Sequence, residues 1–137
     1  MKTCKKILSL ALAAVIAAAI PGLVSAMPTT VSTTMFDCSV VYTAELADNG
    51  IRGLTSLRVT KKLGFIPDSS MGDLEARIYN TNGVLLSSNT NPTVTDYNNG
   101  FAMTCLTGST LWTIYRVKGT YDFLTEHWTY SYYPSLP

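Results

Sequence analysis

Few side chains in this 137-residue sequence could do acid–base or covalent chemistry, and they are scattered along it. Its one histidine is His127, between Glu126 and Trp128. A histidine base needs a carboxylate to orient it and a nucleophile within reach. Asp122 or Glu126 could supply the carboxylate. Neighbours along a strand point to opposite faces, however, so Glu126 serves only where a turn intervenes. No Ser, Thr or Cys is placed by spacing to complete a triad, so His127 is expected as an exposed turn residue. The count alone excludes a histidine-rich metal site.

Three cysteines are present: Cys4, Cys38 and Cys105. There is no Cys-x-x-Cys pair, so a redox or nucleophilic thiol has little support. Two acidic loops carry oxygens that could meet calcium. Residues 68–73 offer Asp68, Ser69, Ser70 and Asp73, and residues 96–100 offer Asp96, Asn98 and Asn99. Neither fits the twelve-residue loop closed by a bidentate Glu, and turns use the same residue types. No metal site and no cofactor is expected. A glycosidase would need two carboxylates facing one bond, and no spacing among the nine acids selects a pair.

The feature nearest to a functional hint is aromatic. Trp112 stands near Arg116 and Lys118, and Trp128, Tyr130, Tyr132 and Tyr133 crowd the last strand. Aromatics on an exposed sheet face make a stacking platform for sugars or an anchor for a protein partner. Alternation puts Trp128, Tyr130 and Tyr132 on one side, which is also how core residues fall. Ligand-binding candidates are therefore Trp112, Trp128, Tyr130, Tyr132 and Tyr133.

The surrounding chain sets what can position these residues. Lys2, Lys5 and Lys6 precede an apolar run over 7–20, then Pro21-Gly22 and the small residues Ser25 and Ala26. This is the pattern of an export signal, bacterial in style, with cleavage expected after Ala26. The run is shorter than the ~20 residues a spanning helix needs, and no second apolar segment follows. No stable membrane insertion of the mature chain is expected. Cys4 would leave with the signal. Three of the ten basic residues lie in 1–26 and all nine acids lie beyond it, leaving seven against nine, a net −2. That balance argues against nucleic acid as a partner. Two cysteines in an exported chain predict a Cys38–Cys105 disulfide closing a loop of about 68 residues, worth ~4 kcal/mol on the chain-entropy model.

After the signal, 27–34 reads as a flexible leader or at most an edge strand, and 35–137 as one domain. Period-two alternation predicts strands over 35–46, 51–62, 74–79, 84–88, 93–97, 101–106 and 110–123, then, after a turn at Thr125-Glu126, a last strand with Trp128, Tyr130 and Tyr132 on one face. Asp48-Asn49-Gly50, Asn82-Gly83 and Asn99-Gly100 mark turns. A bulge is expected near Gly53, and a bend at Gly119. Seven to eight short strands without helical periodicity predict an all-β, single antiparallel β-sandwich. An early cysteine tied to a late one resembles the immunoglobulin-like architecture. Trp is missing from the second strand, and Met103 stands where that family has Tyr, so the resemblance is one of architecture alone. The expected function is a small secreted, non-catalytic binding module for a glycan or an extracellular protein. A secreted antimicrobial or toxin-like β-protein is the alternative, and an extracellular hydrolase the weakest reading.

Overall fold

In a computed structural model the protein is described over residues 29–134. The expected signal segment and its cleavage site lie outside the described residues. Nine strands follow in order: β1 (Thr30–Met35), β2 (Cys38–Ala47), β3 (Arg52–Lys61), β4 (Gly72–Tyr79), β5 (Leu85–Asn89), β6 (Thr93–Tyr97), β7 (Gly100–Leu106), β8 (Arg116–Phe123) and β9 (Glu126–Tyr132). They form two antiparallel sheets, one ordered β1-β2-β3-β7-β6 and the other β5-β4-β8-β9. The all-β antiparallel sandwich read from the sequence is the architecture observed.

Alternation decides which face of each strand is buried. In β2, Cys38, Val40, Tyr42 and Ala44 are buried. Leu57 and Val59 of β3, and Leu74, Ala76 and Ile78 of β4, meet them from the same side of their own strands. The outer face of the five-stranded sheet is rich in hydroxyls. One cross-strand row reads Thr30, Thr43, Ser56, Thr104 and Thr93. Within it, Thr43 and Ser56 hydroxyls hydrogen-bond at 2.6 Å.

Residues 30–34, expected as leader or at most an edge strand, form that edge strand. β1 folds back on β2 through a two-residue turn, Phe36 and Asp37, both at positive φ (52° and 60°). Asp tolerates positive φ, but Phe at the first position does not advertise such a turn. Phe36 is held there by edge-to-face packing on Phe123, centroids 5.8 Å apart.

The expected Cys38–Cys105 disulfide is corrected: both cysteines are free thiols. Cys38 stands opposite Lys61 on β3, and Cys105 opposite Thr55. Those positions are six residues apart along one strand, about 20 Å at ~3.3 Å per residue. A disulfide needs Cα atoms within about 7 Å. Both cysteines also lie in the same sheet, so neither could tie the two sheets to each other by that bond.

Hydrogen bonds make the tie instead. The Tyr121 hydroxyl on β8 donates to the Thr43 carbonyl on β2 at 2.6 Å. The Cys105 thiol donates to the Asn89 carbonyl of β5 at 3.1 Å. Burial pushes the Cys38 and Cys105 thiols up from their ordinary pKa, the opposite of what a reactive thiolate needs.

Two glycines expected to bulge or bend their strands do neither. Gly53 stays in register between Leu46 and Leu106's neighbour Thr107, and a methyl there would sit 2.4 Å from Ile78 Cγ2 on the facing sheet. At Gly119 a methyl would sit 2.0 Å from the Tyr121 hydroxyl, so its absence makes room for the ring. The first is a close approach of the two packed sheets, the second of neighbours on one face of β8.

The strand expected over 110–123 is shorter. Only β8, starting at Arg116, is extended and paired, opposite Tyr79 of β4. Residues 107–115 cross from one sheet to the other as a loop, held by single backbone hydrogen bonds to Gly53, Ile51 and Tyr79 rather than by a continuous ladder.

Candidate functional site

One end of the sandwich gathers four segments that are remote in sequence. They are the 3-10 turn Asp48–Gly50 between β2 and β3, the β4–β5 hairpin tip at 80–83, the 107–115 crossover, and the chain after β9 at 133–134.

The crossover is fastened at both ends and in the middle. Thr107 N donates to the Gly53 carbonyl at 2.9 Å, and Gly53 N donates to Thr107 Oγ1 at 3.0 Å. Gly108 N donates to Ser87 Oγ, and Thr110 N to the Ile51 carbonyl, each at 2.9 Å. Tyr115 N donates to the Tyr79 carbonyl at 2.8 Å. Ile114 is 3% exposed and plugs the loop into the core. Between these anchors Leu111 is fully exposed and Trp112 is 72% exposed. A loop this firmly held does not place an indole in water by fraying; the fold presents it there.

Two clefts flank the crossover. The larger, about 440 Å³, runs from Leu46, Gly50 and Ile51 on one wall to Leu111, Trp112 and Ile114 on the other, with Pro134 at its side. The smaller, about 250 Å³, lies between the hairpin tip and the end of β9, where Tyr79, Asn80, Tyr115, Arg116 and Tyr133 meet. Ile114 faces one cleft and Tyr115 the other, and Pro134 and Tyr133 divide in the same way. In the smaller cleft Tyr115 and Tyr133 pack edge to face with centroids 5.6 Å apart. The Arg116 guanidinium lies 5.4 Å from the Tyr79 ring centre and 5.9 Å from that of Tyr133, within cation–π range. Its Nε donates to Ser131 Oγ at 2.8 Å.

The five aromatic candidates therefore separate. Trp112 and Tyr133 line the clefts. Trp128, Tyr130 and Tyr132 point inward against the core, the side on which their alternation places core residues, so these three ligand-binding candidates are packing residues instead. Trp128 stacks on Tyr121 at 5.8 Å, and Tyr42 meets Trp128 and Tyr130 edge to face at 5.5 and 5.6 Å. Desolvation, and then the neighbouring Tyr130, pushes the Tyr42 hydroxyl up to about 12. Tyr121 is raised by the same burial, with Tyr42 and Tyr130 adding to it. These are packing residues with hydroxyls held neutral. Tyr79 and Tyr115 enter the site without having been singled out, and Arg116, noted in the sequence only beside Trp112, joins them; for Tyr115 and Arg116 the available signal was the run of aromatic and basic residues after Gly108 and Ser109.

His127 is exposed and pairs across β8–β9 with Asp122, whose Oδ1 hydrogen-bonds Nδ1. Asp122 is thus the orienting carboxylate, while Glu126 lies one residue along β9. The two acidic loops meet at the far end of the sandwich. Ser69 N and Oγ donate to the Asp96 oxygens, both at 2.8 Å, and Ser70 N donates to Asp68 Oδ1 at 2.9 Å. Those carboxylates cap a turn and join two loops. Among the described residues no three His, Cys, Asp or Glu side chains are gathered as a metal-binding group.

Fold and site together define a class: an antiparallel β-sandwich carrying aromatic clefts on its loop end. No protein-family model, curated protein or solved structure matches the chain.

Proposed function

We propose that the protein is an exported, non-catalytic binding module that holds a glycan across the clefts at the loop end. The single observation that carries this is Trp112, 72% exposed on a crossover pinned by backbone hydrogen bonds to Gly53, Ile51 and Tyr79. An exposed indole on a backbone held in place is an amphipathic surface that can take the C–H face of a sugar ring without ordering the loop that carries it. The walls beside it mix apolar surface with hydroxyl and amide groups: Thr110, Thr113, Asn80 and Thr81. That mixture suits a ligand with one apolar face and many hydroxyls. Export rests on the basic, apolar and small-residue pattern of 1–26, which would bring the module to glycans outside the cell.

Affinity electrophoresis in gels containing soluble polysaccharides tests the reading. The wild type should be retarded by at least one polymer, and Trp112→Ala should lose that retardation while keeping the wild-type melting transition. Equal retardation of both proteins, or none by any polymer, would rule the glycan site out.

A further inference from the structure

The smaller cleft carries a charge that no acid among the described residues answers. Arg52 pairs with Asp48, Nε to Oδ2 3.1 Å, and Arg77 pairs with Glu75. Among the described residues Arg116 has no carboxylate partner: its contacts are Ser131 Oγ and the rings of Tyr79 and Tyr133. Arg58 also lies over a ring, that of Tyr97, but on the outer face of the five-stranded sheet and outside both clefts. Among the described residues Arg116 is the one charged residue lining either cleft, although acids outnumber basic residues beyond residue 26.

Position and orientation both matter here. The Nε–Ser131 bond fixes the plane of the guanidinium, and two tyrosine rings flank it. Among the described residues the terminal nitrogens donate no hydrogen bond to a protein group, so the fork that recognises planar oxyanions is left for something else. Around it stand the Asn80 amide and the hydroxyls of Thr81, Tyr115 and Tyr133. A half-buried guanidinium that is held still but unpaired keeps a desolvation penalty which an incoming carboxylate relieves. A neutral sugar does not.

We infer that the Arg116 cleft is a subsite for the carboxylate of an acidic sugar, so that the glycan held at this end is a uronate-containing polysaccharide. The inference rests on the glycan reading above and adds the charge of the ligand. The Trp112 cleft takes the neighbouring ring by stacking, and the Arg116 cleft selects the residue that bears the acid. Because the two clefts share the 114–115 and 133–134 steps as a common wall, one chain of sugars can occupy both.

Polygalacturonate and its fully methyl-esterified form share a backbone and differ in charge, which makes them the probes. Binding of the exported full-length protein to each is measured by titration calorimetry. The wild type should bind the acid form about 10- to 100-fold more tightly than the ester, the range expected for charge-assisted bonds to one carboxylate. Added salt should weaken the acid form only. Arg116→Gln should abolish the preference, Arg116→Lys should restore part of it, and Lys61→Gln, at the opposite end of β3, should change nothing. The wild-type comparison needs no variant, so a poorly folded Arg116→Gln protein leaves the test intact. Equal binding of acid and ester by the wild type would overturn the acidic subsite and leave the glycan reading standing. Failure to bind either form, together with retardation by neutral polymers, would do the same. Failure with every polysaccharide would sink both readings and turn attention to an acidic protein segment.

Discussion

Gly53→Ala is the change whose sign the packing decides. In a strand without steric conflict, Ala is more stable than Gly by roughly 0.5–1 kcal/mol, because the unfolded chain has less freedom to lose. At Gly53 the added methyl would stand 2.4 Å from Ile78 Cγ2 and 3.1 Å from Val117 Cγ1. Carbon atoms pack at about 3.5–4.0 Å, so the facing sheets must part or Ile78 must leave its rotamer. Overpacking of this kind costs about 1–3 kcal/mol. Set against the backbone gain, the expected net loss is about 1–2 kcal/mol, a fall in melting temperature of roughly 4–16 °C for a domain of this size. Urea melts of both proteins measure it directly. A second variant isolates the cause. Ile78→Ala alone should cost about 2–5 kcal/mol through the cavity it leaves. In the double variant the Gly53→Ala methyl occupies part of that space, so the combined loss should fall short of the sum by about 1 kcal/mol. The consequence reaches the site, since Gly53 holds Thr107 through both its N–H and its carbonyl. Stability of Gly53→Ala equal to or above wild type would refute the close packing of β3 on β4 and β8.

Two further outcomes follow from the buried polar groups. The raised Tyr42 hydroxyl, pushed up to about 12, contributes stability that is complete below about pH 10, the unfolded value, and is lost as pH rises through the folded value. Tyr121 and Tyr130 shift in the same direction, so urea midpoints should fall steeply between about pH 10 and about pH 12. Tyr42→Phe should flatten that slope, and a midpoint constant over the range would contradict the burial. Cys38 and Cys105, buried and unbonded, should resist alkylation in the native protein and react fully in denaturant without any reductant. Mass spectrometry reads this, and thiols that appear only after reduction would overturn the register that separates them.

Much of the scaffold can be read from local pattern. A strand with one buried face must alternate, so Val40, Tyr42 and Ala44 declare their side without knowledge of the partner strand, and so do Leu74, Ala76 and Ile78. The hairpin at 80–83 follows as directly, its turn closed by Gly83 N donating to the Asn80 carbonyl at 3.1 Å. β1 is harder to see. Its buried positions are only Val31 and Met35, a weak apolar signal, and its turn uses Phe36 and Asp37 at positive φ, a choice made tolerable by the Phe36–Phe123 contact.

What pairing decides is invisible to alternation. Residues 110–115 alternate as well as many strands do, yet they bridge two sheets without joining either ladder, and Leu111 and Trp112 stand in solvent. Cysteine number suggested a bond that register forbids, because counting carries no information about where along β3 each partner falls. The clefts are of the same kind. Trp112, Tyr115, Arg116, Tyr79 and Tyr133 come together only because β4 and β9 end where β8 begins. The sequence by itself determined which residues face inward and where most turns fall, since both depend on neighbours a few residues apart. Which thiols, rings and charges meet was left to the tertiary structure, because that depends on the order and register in which distant strands pair.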